Sequence, residues 1–181
     1  MSKIFWHQVV LFGVMLVLLI WRFIFGGAVF SISMLWWSLG VTMGFVFVFA
    51  DRLIFHLVSE PEKIMGIKMK QLFRQGKLVE GMAVALEERS NDKGLIMRSI
   101  LFLAIYIVLA FWTMASVPGA WQRGFVLGIG IHLFFDFWWD FAMKKGVDNW
   151  FWQLPIRLSK TEEKVLVFFM SMVGILIMTK L

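Results

Sequence analysis

Apolar residues fall into five long runs, at 4–25, 34–58, 94–116, 121–143 and 164–180, separated by shorter polar or charged stretches. Each run is near the ~20 residues that a helix needs to cross the hydrocarbon of a bilayer. The pattern predicts an all-α membrane protein, a bundle of about five transmembrane helices. The first run follows Lys3 as a signal peptide would, yet it is too long for an h-region and lacks a small-x-small cleavage site. It reads as a retained anchor.

The connecting segments set the expected orientation. Lys63, Lys68, Lys70, Arg74, Lys77, Arg89 and Lys93 crowd one loop, and more basic residues lie between Lys144 and Lys164. The connections at 26–33 and 117–120 carry no charge. The positive-inside rule then places the N-terminus and both charged loops in the cytoplasm. Five crossings leave Leu181 outside. Pro118-Gly119 makes the tight outer turn. The expected location is a bacterial cytoplasmic membrane.

Segment 61–90 has its own periodicity. Pro61 suits a first helical position, and Met65, Met69, Leu72, Val79, Ala83 and Leu86 recur at alternating four- and three-residue steps. This predicts a cytoplasmic amphipathic helix or, with a break at Gly76-Lys77, a helical hairpin. FRQGKLVEGMAVALEE is similar to the second half of a tetratricopeptide unit, but one such unit cannot bury its own face. The segment is therefore expected to rest on the membrane surface or on its own bundle, or to dock a protein partner. In 146–163, Trp150, Trp152, Leu154, Ile156 and Leu158 alternate around Pro155. A lone strand at a membrane would leave its backbone unpaired, so an interfacial connection is expected. Ser159 and Glu162 then form a capping-box pattern ahead of the last run. The chain divides into a first transmembrane hairpin (1–58), a cytoplasmic helical segment (59–93), a second hairpin (94–143), an interfacial loop (144–163) and a final helix (164–181).

Inside the fourth run a polar ladder recurs at every fourth position: Gly124, Gly128, His132, Asp136 and Asp140. An Asp in hydrocarbon costs several kcal/mol unless it is paired, protonated or wet. The second run repeats the layout. Aligned on Trp37 and Trp121, Gly40 matches Gly124, Gly44 matches Gly128, Val48 matches His132, Arg52 matches Asp136 and His56 matches Asp140. Both runs cross in the same direction, so matched positions share a depth, with Arg52 and Asp136 each ~22 Å below the outer tryptophan. The glycines form two small-xxx-small motifs, which let helix backbones approach closely. Spans two and four are expected to touch, with Arg52 facing Asp136 and His56 facing Asp140. Asp51 lies about 100° round the helix from Arg52. Arg98 enters the third span within reach of Asp140, and Tyr106 lies deeper, near the level of His132. Asp51, Asp136 and Asp140 against Arg52 and Arg98 leave one negative charge, which a proton or a bound cation would cancel.

Composition narrows the classes. The 181 residues are 60% hydrophobic, with mean hydropathy +0.80, far too apolar for an aqueous surface. Zero Cys excludes disulfides, thiolate nucleophiles and Cys-based metal sites. The net charge of +6 comes mostly from loops and helix ends, which fits anionic lipid headgroups and not nucleic acid. Ten Trp near the ends of apolar runs read as an aromatic belt.

Three readings of the polar ladder follow. In the first, Arg52 and Arg98 neutralise the aspartates and the cluster is structural or scaffolding. In the second, His132, Asp136 and Asp140 form a stepped path for protons or ions, completed by a cytoplasm-facing cavity or by a homo-oligomer. In the third, His132, Asp136 and either Asp140 or His56 hold a divalent metal and activate water as a membrane-embedded hydrolase. GIHLFFDFWWD resembles the second half of the CDP-alcohol phosphatidyltransferase motif. The first half, with its paired Asp and Ala-Arg, is absent, which excludes that family. No P-loop, GxSxG elbow or HExxH pair occurs.

Overall fold

The computed structural model describes residues 3–25, 31–78, 80–81, 84, 94–144 and 146–181, and among them every regular element is helical. Helix α1 (Lys3–Phe25) is followed by α2 (Ile32–Phe47), the short α3 (Ala50–Ile54) and a π-helical turn (Phe55–Ser59). Then come α4 (Ile64–Arg74), α5 (Ile100–Ser116), α6 (Ala120–Lys144), a 3-10 turn (Asp148–Phe151) and α7 (Lys160–Lys180). The architecture is a helical bundle with α6 at its centre, since α1, α2, α5 and α7 all pack on it. Leu127, Ile131, Leu133 and Phe137 of α6 are accordingly buried. The outer faces of the other helices are apolar: Phe12, Val17, Val108 and Phe168 are each more than 60% exposed. Among the described residues, two stretches are long and apolar enough to cross a membrane, Ile32–Ser59 with 28 residues and Ala120–Met143 with 24.

The α2–α6 contact is the closest in the bundle. A Cβ on Gly40 would strike the Trp121 carbonyl and one on Gly44 the Phe125 carbonyl. Reciprocally, a Cβ on Gly124 would strike the Trp37 carbonyl and one on Gly128 the Val41 carbonyl. The rising numbers on both sides make the helices parallel. Gly40 and Gly124 sit level, in the register that the two matched tryptophans define.

Local signals start the flanking helices. The Ser99 hydroxyl accepts from the Phe102 amide at 3.1 Å and opens α5. The Ser159/Glu162 capping box opens α7 as its spacing predicts. Gly76, with φ of 75°, closes α4 in a Schellman turn in which the Lys77 amide bonds the Leu72 carbonyl at 3.0 Å.

Several boundaries differ from the apolar runs. The second run is not one helix: α2 stops at Phe47, and i→i+3 bonds from Asp51 to Val48 and from Arg52 to Phe49 tighten the chain before α3. The third helix begins at Ile100 rather than 94, because the Asp51 carboxylate holds the Met97 amide at 2.8 Å and Ser99 takes the cap. Pro61 lies in the turn before α4, whose cap is Lys63. Trp37 and Trp150 are buried rather than part of a belt, because each indole N–H has a polar partner inside the bundle. In the second arm of 61–90, Val79, Ala83, Leu86 and Arg89 lie outside the described residues, as does Lys93 just beyond it.

Candidate functional site

Below the glycines, the α6 ridge continues into a buried polar network. Where Gly124 and Gly128 abut the Trp37 and Val41 carbonyls, the next rung places His132 against Phe45. His132 Nδ1 lies 2.8 Å from the Phe45 carbonyl oxygen. A carbonyl only accepts, so Nδ1 carries the proton and donates. This bond accounts for the end of α2. The Phe49 amide turns to the Val46 carbonyl at 3.0 Å and leaves that of Phe45 to the imidazole. A side chain inserted into the i→i−4 ladder is a standard cause of a helix kink. The imidazole is held between the Phe45 and Phe49 rings, each centroid 4.5 Å away.

The other ring nitrogen leads on to the aspartates. His132 Nε2 is 3.6 Å from Asp136 Oδ2, one turn further along α6. Arg98 arrives from the segment before α5 and bridges both carboxylates. Its Nε is 3.7 Å from Asp136 Oδ2 and its Nη2 bonds Asp140 Oδ2. Trp150 of the 3-10 turn completes the set by donating from Nε1 to Asp140 Oδ2 at 3.0 Å. The network thus joins α2, the start of α5, α6 and the 148–151 turn. His132, Asp136, Asp140 and Arg98 are all 4% exposed or less. A buried charge survives only if paired and hydrogen-bonded, and Arg98 does this for two carboxylates at once.

The remaining candidates lie elsewhere. Asp51 is buried and tied to the Met97 amide, so it orients the segment that carries Arg98. Arg52 is buried too, but it does not meet Asp136, and its Nη2 has no hydrogen-bond partner among the described residues. His56 does not meet Asp140. It sits edge-on to Phe55 at 5.4 Å, with Nδ1 buried and without a hydrogen-bond partner among the described residues. Both departures follow from irregular turns in the second run, the tightened turns before Arg52 and the π turn Phe55–Ser59 that contains His56. The matched ladder assumes an uninterrupted helix, whereas the tightened turns after Phe47 advance about 120° per residue in place of about 100°. Residues beyond the break therefore leave the α6-facing ridge. The Tyr106 hydroxyl packs over Gly130, and its ring lies 6.2 Å from that of Phe134.

No group of three His, Asp or Glu side chains converges as a metal site among the described residues. The guanidinium of Arg98 lies against both carboxylates that a metal would need, and His56 is not with His132 and Asp136. Two residues were not legible as partners. Trp150 looks like any belt tryptophan until the chain folds back. Glu163 is 2% exposed and accepts from the Val147 amide at 3.3 Å and from Lys160 at 2.9 Å. An acidic residue directly after the capping Glu162 was its only signal. No protein-family model, curated protein or solved structure matches the chain.

Proposed function

We propose that the chain is a five-span helical membrane protein with a cytoplasmic N-terminus, in which the Arg98–Asp136–Asp140–His132 network is a structural clasp. One observation carries the clasp reading: Arg98 bridges Asp136 and Asp140 while His132 and Trp150 tie their ends to α2 and the 148–151 turn. Such a network specifies one arrangement of the helices, because any slip of α6 would strand a buried charge. The membrane reading rests on the two long apolar stretches and on the apolar outer faces of the flanking helices. The exposed Ile64 and Ile67 beside Lys68 and Lys70 on α4 suit an amphipathic helix resting on an anionic leaflet.

A second reading has its own observation. With Nδ1 committed to Phe45, His132 places a proton on Nε2, towards Asp136, only as an imidazolium. The pair could therefore load and release a proton. The test is Asp136→Asn in reconstituted vesicles. Lower thermal stability with unchanged proton and ion flux supports the clasp. Loss of a measurable flux at retained stability replaces it with proton handling. Carbonate-resistant sedimentation with the membrane fraction checks the span reading separately.

A further inference from the structure

Helix α4 turns one face inward, where a Cβ on Gly66 would strike the His56 and Glu60 carbonyls and Met69 is fully buried. Along its open side runs a cavity of about 390 Å³, lined by Glu62, Ile67, Lys70, Gln71, Arg74 and Gln75. Lys70 is half-buried, and Glu62 and Arg74 are exposed. Nearby charges are paired: Lys63 lies 2.6 Å from Glu60, and Lys77 lies 3.6 Å from Glu80. Glu62, Lys70 and Arg74 share one cavity, yet no ion pair joins them among the described residues. The carboxylate therefore stands beyond the ~4 Å reach of an ion pair from both cations. The Gln71 and Gln75 side chains line the same space and hold no hydrogen bond among the described residues.

Unpaired charges of both signs around one cavity leave a gap that a zwitterion can span. Its oxyanion would take the two cations, and its primary ammonium would donate to the carboxylate. Arg74 offers a planar fork, Lys70 a point charge and each glutamine an NH₂, a donor set that fits the several oxygens of a phosphate. The volume lies near the low end of the roughly 300–1,000 Å³ of small-ligand pockets, which suits one headgroup. Ile67, exposed in the wall, offers apolar contact to the first methylenes of a lipid. We infer that this cavity binds a phosphoethanolamine group, carried by a phospholipid or free in solution. The lipid source rests on the reading of α4 as a helix on a leaflet, whereas the zwitterion chemistry does not.

The test uses the full chain purified in detergent, with Glu62→Gln and Arg74→Gln as variants and Lys77→Gln, outside the cavity, as control. Glu62 and Arg74 are exposed, so each variant should melt without ligand as the wild type does. In one arm, O-phosphoethanolamine is titrated and the melting temperature read. In the other, phosphatidylethanolamine, phosphatidylcholine and phosphatidylglycerol compete, and retained lipid is counted by native mass spectrometry. The wild type should respond saturably to the free compound, or retain phosphatidylethanolamine above the other two, or do both. Glu62→Gln should weaken that binding about tenfold, the scale of one charge-assisted pair, without lowering retention of phosphatidylglycerol. Arg74→Gln should weaken binding of both lipids, and Lys77→Gln neither. A response to the free compound alone assigns the soluble source, and a lipid preference alone assigns the headgroup. No response and no preference, or equal binding by wild type and Glu62→Gln, overturns the site. Failure of the membrane reading would show differently, as a chain that stays monodisperse without detergent, on which the first arm still decides.

Discussion

His132 on α6 donates from Nδ1 to the main-chain carbonyl of Phe45 on α2, at 2.8 Å, on the same ridge that places bare glycines against the carbonyls two rungs above. Three successive α2 carbonyls, of Trp37, Val41 and Phe45, meet Gly124, Gly128 and His132. The first two contacts are backbone on backbone. At the third the helices have parted enough to admit an imidazole, which takes the hydrogen bond that α2 gives up. His132→Ala should strand the Phe45 carbonyl and cost about 1–3 kcal/mol. The checks are a lower melting temperature and faster amide exchange at 48–52, where α2 hands over to α3.

The glycine contact predicts a sharp positional contrast. Gly44→Ala and Gly128→Ala each put a methyl on a rigid carbonyl across the interface, and should destabilise by roughly 1–3 kcal/mol or more. Gly13→Ala on α1 meets nothing within 4 Å and should leave the melting temperature unchanged or slightly higher. A melting-temperature series over the three variants decides this. Equal effects at all positions would refute the contact.

Arg98 and Arg52 separate just as clearly. Arg98→Gln leaves two buried carboxylates without their cation and should cost about 3–5 kcal/mol. Adding Asp140→Asn to Arg98→Gln should recover part of the loss, since one stranded charge is then gone. Arg52→Gln should cost less, because Arg52 does not pair with Asp136. Denaturation midpoints of the singles and the double, read as a double-mutant cycle, check both statements.

The α7 capping box carries a pH dependence. The Ser159 backbone amide, and then its hydroxyl, hold the Glu162 carboxyl below its ordinary value of 4.5. A carboxyl with a depressed folded value stabilises fully above its unfolded value and loses that contribution as pH falls through the folded one. Amide protection over 159–163 should therefore fall below about pH 4.5, the ordinary Glu value. In Glu162→Gln it should be lower at neutral pH and flat across this range. Hydrogen exchange at a series of pH values measures it.

The all-helical character was legible because apolar runs of bilayer length are a one-dimensional signal. So was the register of α2 on α6, because the glycine spacing counted from the matched Trp37 and Trp121 fixes which residues sit level. The capping box at Ser159 was legible for the same local reason. Partner choice was legible only in part: Arg98 was expected within reach of Asp140 and bonds it, whereas the expected Arg52–Asp136 and His56–Asp140 pairs do not form. Arg52 and Arg98 are equally basic in sequence, and only the break after Phe47 turns one of them away from Asp136.

What the sequence determined by itself is that the apolar runs are helical, though not their ends or the break after Phe47, and that α6 carries a His and two Asp in need of partners. What only the tertiary structure decided is who satisfies them. Arg98, Trp150 and the Phe45 carbonyl come from three separate parts of the chain, and of these only Arg98 was expected near its partner. The physical reason is that helix propensity and burial act over neighbouring residues, while satisfaction of a buried polar group is settled by whatever the packed helices bring within about 3 Å.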